Sequence, residues 1–121
     1  MLDTGALIAL ERPSRLTLRD LKVARRMGDP VIIPAGCVAQ AWRDGSKQTE
    51  LAKLLRSSAT RIAPLDGHGA RRVGELLRRS GTSDVVDGHV AFLAVNDERT
   101  VCTSDPDDIR HLAPHTRIVA V

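Results

Sequence analysis

The sequence predicts an α/β domain built on a mostly parallel sheet. Short apolar runs bounded by Pro, Gly or polar residues recur along the chain, at "PVIIP", "TRIAPL", "TVCTSD" and "RIVAV". Stretches with helical apolar spacing separate them. The 121 residues suit one core and one domain, over 1–121.

The elements follow in order. "MLDTGALIAL" opens with a very short apolar start that ends at Asp3 and runs into a helix-like stretch. "SRLTLRDLKVARRMG" has an N-cap candidate in Ser14, apolar positions Leu18, Leu21, Val23, Ala24 and Met27, and a stop signal in Gly28. "PVIIP" reads as a buried strand, and "AGCVAQAWRDG" as a helix ending at Gly45. "SKQTELAKLLRSS" is amphipathic, with Leu51, Leu54 and Leu55 on one side and Glu50 in reach of Lys47 and Lys53. "TRIAPL" is the next strand. "GHGARRVGELLRRSG" is a helix striped by Val73, Leu76 and Leu77, on which Glu75 can pair with Arg71 and Arg79. Ser83 is expected to cap the helix of "SDVVDGHVAFLA". "TVCTSD" is a strand, "PDDIRHLA" a short helix with Asp107 and Asp108 as cap or first-turn acids, and "RIVAV" the last strand. No linker, repeat or low-complexity segment interrupts this order.

Composition narrows the function. One Trp, one Phe and no Tyr leave Val, Leu, Ile and Ala to build the core, and argue against a surface that stacks bases on aromatic rings. Trp42 is expected in the core or at a dimer contact. The net charge of +3 leans mildly toward polyanionic partners. Cys37 and Cys102 form no CxxC pair and read as buried reduced thiols. The chain has no apolar stretch of membrane-spanning length and no signal-peptide pattern at its start, so a cytoplasmic location without membrane contact is expected. His68, His89, His111 and His115 lack metal-ligand spacing, and His89 reads as an ordinary helix residue.

The acids stand out by position. In parallel sheets the functional crevice lies beyond the carboxyl ends of the strands. Asp3 ends the first strand candidate, Asp105 follows "TVCT", and Asp84 and Asp87 head a helix three residues apart. Carboxylates gathered there repel one another unless a divalent cation sits among them. Oxygen-only ligands suit Mg²⁺ or Mn²⁺, which activates water and steadies phosphoryl oxygens in an in-line displacement. Each acid also has a plainer use. A first-turn Asp complements the helix dipole, Asp3 can be a polar strand end, and Asp105 can be a turn residue before Pro106. "DTGA" at Asp3 also matches retroviral-type aspartic proteases, but those are all-β dimers. A haloacid-dehalogenase-type phosphatase needs an Asp where Gly5 stands.

The order of motifs resembles that of PIN domains, small metal-dependent ribonucleases that include the VapC toxins of toxin–antitoxin pairs. "LDTGALIALE" resembles the opening motif, with Asp3 as the first metal-binding acid and Thr4 as the small hydroxyl. "SDVVDGHVAFLA" resembles the third motif, with Asp87 in the Asp position and Asp84 one turn ahead. "VCTSDPDDI" resembles the closing stretch, with Thr103 as the hydroxyl and Asp105 as the acid. The resemblance implies a three-layer α/β/α sandwich with a mostly parallel sheet of four to five strands. It also implies Mg²⁺ or Mn²⁺ held by Asp3, Asp87, Asp105 and Asp84, with Thr4, Gln40 and Thr103 supporting them.

Two departures matter. "PAGCVAQAWR" puts Gln40 where the family carries a Glu, which removes a charge and a base. Asp84 restores the count of acids, or the domain is impaired; Asp44, four residues along, is the poorer substitute. Only Met1 and Leu2 precede Asp3, so either the start is truncated or the central strand is clipped. Arg43, Arg71, Arg72, Arg78 and Arg79 are RNA-contact candidates, with Lys47 and Arg110 beside them, although a solvated charged face is the plainer reading of the four arginines that share a helix. The function expected is a metal-dependent endoribonuclease with an RNA substrate, as a homodimer and with a cognate antitoxin if it is a toxin. The alternative is a catalytically attenuated module that binds RNA or a protein partner.

Overall fold

The computed structural model describes residues 1–12, 21–23 and 26–121. Two parallel strand pairs form the sheet structure. β1 (Val31–Pro34) pairs with β2 (Thr60–Ala63), Ile33 facing Ile62, and β3 (Val101–Thr103) pairs with β4 (Ile118–Ala120), Cys102 facing Val119. Residues 1–3 join the pairs. The Leu2 N–H donates to the Ile32 carbonyl at 3.0 Å. On the other side, Cys102 N–H donates to the Met1 carbonyl at 2.8 Å, and Asp3 N–H to the Cys102 carbonyl at 3.2 Å. The short start is thus a parallel bridge beside β3 rather than a full strand.

β1 is buried along its whole length, as expected of a continuous apolar run in a parallel sheet. β2 is not: Arg61 and Ile62 are exposed. The helices are α1 (Thr4–Ala9), α2 (Ala35–Ala41), α3 (Thr49–Arg56), α4 (Gly67–Ser80), α5 (Val85–Asn96) and α6 (Pro106–Leu112). α1 starts immediately after Asp3, α2 directly after β1, and α6 two residues beyond β3. Strand ends and helix starts therefore alternate along one edge.

Several boundaries differ from the sequence reading. α2 ends at Ala41, not Gly45. The Gln48 side chain closes the chain there: its Nε2 donates to the Ala41 carbonyl at 2.8 Å, and its Oε1 accepts from Arg43 N–H at 2.8 Å and Asp44 N–H at 3.1 Å. Ser83 is not the cap of α5. Asp84 is, its carboxylate accepting from Asp87 N–H at 2.9 Å. Of the helix expected over 14–28, residues 21–23 and 26 are helical, while Ser14, Leu18 and Ala24 lie outside the described residues. Leu21 is buried, but Val23 and Met27 are exposed, against the apolar stripe expected of them.

The main core joins Leu2, Leu7, Ile33, Cys37, Leu51, Val90, Val101 and Ile109. Each fully buried Leu, Ile or Val contributes roughly 1.5–3 kcal/mol. A second cluster of Val73, Leu77, Ala91, Leu112 and Ala113 holds α4, α5 and α6 together. Gly88 allows the close approach: a Cβ there would meet Leu77 at 2.8 Å and Val73 at 2.9 Å. No described helix is long and apolar enough to cross a membrane.

Candidate functional site

Asp3, Asp84 and Asp105 stand at three of the four helix N-termini that an aspartate occupies among the described residues, the fourth being Asp66 on α4. Asp3 caps α1, accepting from Ala6 N–H at 2.9 Å; Asp84 caps α5; Asp105 occupies the cap position of α6. The positive ends of these helices favour negative charge beside them. Asp105 makes no side-chain capping bond. It is positioned instead through its backbone, whose N–H donates to Thr103 Oγ1 at 2.9 Å. Thr103 is fully buried, and its hydroxyl also hydrogen-bonds the Asp3 carboxylate. One threonine at the end of β3 therefore ties together Asp3 and Asp105, which are 102 positions apart in sequence.

The electrostatics link the acids. Asp87 is pushed up to about 6, first by burial and then by repulsion from Asp84, Asp108, Asp3 and Asp105. Asp3, buried at 7 % exposure, is likewise raised by burial, with Asp105 adding to the rise. The Thr103 hydroxyl and the N–H groups of Ala6 and Gly5 oppose it. Four aspartates thus act on Asp87, and one of them, Asp105, also acts on Asp3. Asp108 was expected only as a cap or first-turn acid. It does lie in the first turn of α6, yet among the carboxylates that raise Asp87 its effect comes second, after that of Asp84.

Gln40 reaches the same region. Thr4 Oγ1 donates to Gln40 Oε1 at 2.6 Å, so the amide oxygen is occupied. Thr4 also hydrogen-bonds Cys37, a residue that sequence reasoning assigned only to the core. Burial, with repulsion from Asp3 and Asp87 behind it, pushes the Cys37 thiol up to about 11 despite the Thr4 bonds, which keeps it an unreactive thiol. The signal was available: Cys37 and Gln40 are one helical turn apart on α2. Gly5 matters for space, since a Cβ there would run into the Ser104 side chain. That close approach brings the start of α1 against the loop that carries Asp105.

The donor chemistry, oxygen only, suits a hard divalent cation. Yet among the described residues no three His, Cys, Asp or Glu side chains are gathered closely enough to hold a metal ion as they stand. The carboxylates are near enough to repel and not drawn into one coordination sphere.

The other candidates disperse. Arg43 folds back on its own helix end, donating to the carbonyls of Ala39 at 3.0 Å and Trp42 at 2.7 Å. Asp44 lies outside α2, where bonds from the Ser46 hydroxyl and N–H hold its carboxyl below the usual range. Glu75 pairs with Arg72 at 3.4 Å, rather than with Arg71 or Arg79. Arg71, Arg72, Arg78 and Arg79 are all exposed on α4. Arg72 and Arg79 flank a groove of about 240 Å³ between α4 and α5, floored by Leu76 and Phe92. Lys47 is exposed, and Arg110 pairs with Asp107 at 3.3 Å. Trp42 is 38 % exposed, with its ring lying over Gly45, and so is not a core residue. His89 is buried; burial lowers its pKa against the pull of Asp66, which keeps it neutral near pH 7.

Comparison with known proteins gives no family assignment: no family model matches the sequence, and no curated protein matches it.

Proposed function

We propose that the chain is a metal-dependent endoribonuclease of the PIN type, its strand pairs and flanking helices forming the three-layer α/β/α arrangement of that family. The observation that supports this most is Asp87, raised to about 6 by burial and by repulsion from Asp84, Asp108, Asp3 and Asp105. A cluster of this kind is relieved by a proton or a divalent cation. Asp87 and Asp105 would hold Mg²⁺ or Mn²⁺, with Asp3 and Asp84 contributing the oxygens that capping leaves over. Such a cation, when bound, supplies an activated water and a counter-charge for phosphoryl oxygens. The chain's own residues do the rest. Thr103 fixes Asp3 and the Asp105 backbone, and Thr4 fixes the side chain of Gln40. The exposed arginines of α4 offer phosphate contacts.

The test is cleavage of RNA in Mn²⁺. Wild type is expected to cleave and Asp87→Asn to lose at least about a hundredfold, roughly 2.7 kcal/mol of barrier. Equal rates in the two proteins would sink the assignment. A toxin of this type is paired with a small antitoxin and forms homodimers; co-purification with the product of a neighbouring reading frame and the mass in light scattering check both.

A second reading, an attenuated module that binds RNA or a protein partner, is favoured by one contact. The Gln40 amide oxygen, uncharged, is already taken by Thr4. Gln40→Glu is expected to raise Mn²⁺ affinity in calorimetry by about tenfold, and no change in affinity would remove this reading.

A further inference from the structure

A different pocket lies at the far end of α5, roughly 18 Å along the helix axis from the carboxylates. Beyond Asn96 the chain turns sharply. Glu98 takes a left-handed backbone, φ 51°, and Arg99 N–H closes the helix on the Ala94 carbonyl at 2.9 Å. Arg99 then lines a cavity of about 320 Å³ together with Val95, Glu98, His115 and Arg117. Arg117 comes from the other side, at the entry to β4, where its carbonyl accepts from Val101 N–H at 2.9 Å. Two guanidinium-bearing residues and an imidazole thus line one cavity from two separate parts of the chain.

One atom there lacks a partner. Arg99 Nε is buried and makes no hydrogen bond among the described residues. Buried donors in native proteins are almost always paired, and an unpaired guanidinium N–H is costly. The C-terminal end of α5 favours a cation nearby, which accounts for a positive charge but gives Nε no acceptor. The ion pairs among the described residues are Lys53–Glu50, Arg72–Glu75 and Arg110–Asp107, so neither Arg99 nor Arg117 is neutralised by one. An anion in the cavity would meet two guanidinium groups that no described ion pair neutralises, and their planar forks suit the oxygens of a phosphate group. The volume exceeds what a bare phosphate fills, and Glu98 on the rim can accept from hydroxyl groups of a larger molecule.

We propose that this cavity binds the phosphate group of a small phosphate monoester through Arg99 and Arg117. The site needs no metal and is separate from the carboxylates. The test is calorimetry on the full chain in EDTA, with inorganic phosphate and with a nucleoside 5′-monophosphate as probes. Saturable binding of the monophosphate with a Kd below about 1 mM, at least as tight as that of inorganic phosphate, is expected. Arg117→Gln, at an exposed side chain, and Arg99→Lys, which keeps the charge but loses the fork, should each weaken it at least about tenfold. Asp87→Asn should leave it unchanged. No saturable binding of either probe overturns the proposal. So does binding of inorganic phosphate that excludes the monoester, binding that both arginine variants retain, or binding that Asp87→Asn abolishes.

Discussion

Asp87 carries an unusual burden for a carboxylate in the first turn of a helix. The dipole of α5 favours its charge, and burial together with four neighbouring aspartates overrides that preference. The consequence for stability has the opposite sign to that of a salt-bridged acid. With a folded pKa near 6 against an ordinary 3.8, the folded chain holds a proton that the unfolded chain has lost. Stability therefore falls as pH rises from about 4 to about 6, and the loss is complete above that window. Asp3, raised in the same direction, adds to it. Asp87→Asn should remove most of this dependence and raise stability at pH 8 by on the order of 1 kcal/mol, after allowance for solvent screening of a half-buried group. Urea melts at pH 4.5 and pH 8 check it, and a wild type whose midpoint does not fall between them contradicts it. Asp3 and Asp105 could be singled out in the sequence because they follow apolar runs, and Asp84 and Asp87 because they head a helix three residues apart. The part played by Asp108 in raising Asp87 could not, nor could the thiol of Cys37 that Asp3 and Asp87 act on, since packing alone brings them together.

At the scale of elements, caps decide where helices begin, and cap identity turns on a single hydrogen bond. Ser83 and Asp84 are both good N-cap residues by type. Only the Asp84 oxygen reaches the Asp87 amide, so the sequence reading fell one residue short. Asp84 is thus both a cap and a source of repulsion on Asp87, and two substitutions separate these roles. Asp84→Ala should cost about 1 kcal/mol through the lost cap. Asp84→Asn keeps an acceptor, drops the charge and should leave stability equal or higher, while moving the Asp87 titration downward in NMR. A titration unmoved in Asp84→Asn would mean that the two carboxylates do not interact. The end of α2 and the start of α3 were illegible for another reason. Gln48 fixes the first, and Glu11, accepting from Leu51 N–H at 2.8 Å across 40 residues, supports the second. Neither bond leaves a trace in local periodicity.

For the whole molecule, alternation of strand and helix was enough to read an α/β chain with parallel pairing, because apolar runs in buried parallel strands differ plainly from amphipathic helices. The same rule misjudged exposure at the margins. Ile62 sits on a strand open on one side and Trp42 covers a glycine, and both remain partly wet. Residues 1–3 form no full strand, yet they are the only link described between the strand pairs through backbone hydrogen bonds. Leu2 is 2 % exposed in the main core. Leu2→Ala should cost roughly 2–5 kcal/mol, measurable by urea titration, and a loss under 1 kcal/mol would mean that the two pairs hold together without this contact.

The bridge at residues 1–3 also sets a mechanical relation. Asp3 hangs from the seam between the two halves of the sheet, whereas Asp105 belongs to one half alone. Any slip of the halves against each other must alter the gap between these two carboxylates, and anything that draws the carboxylates together must brace the seam. The spacing of the acids is thus a gauge of the sheet's alignment, read out where the chemistry would take place.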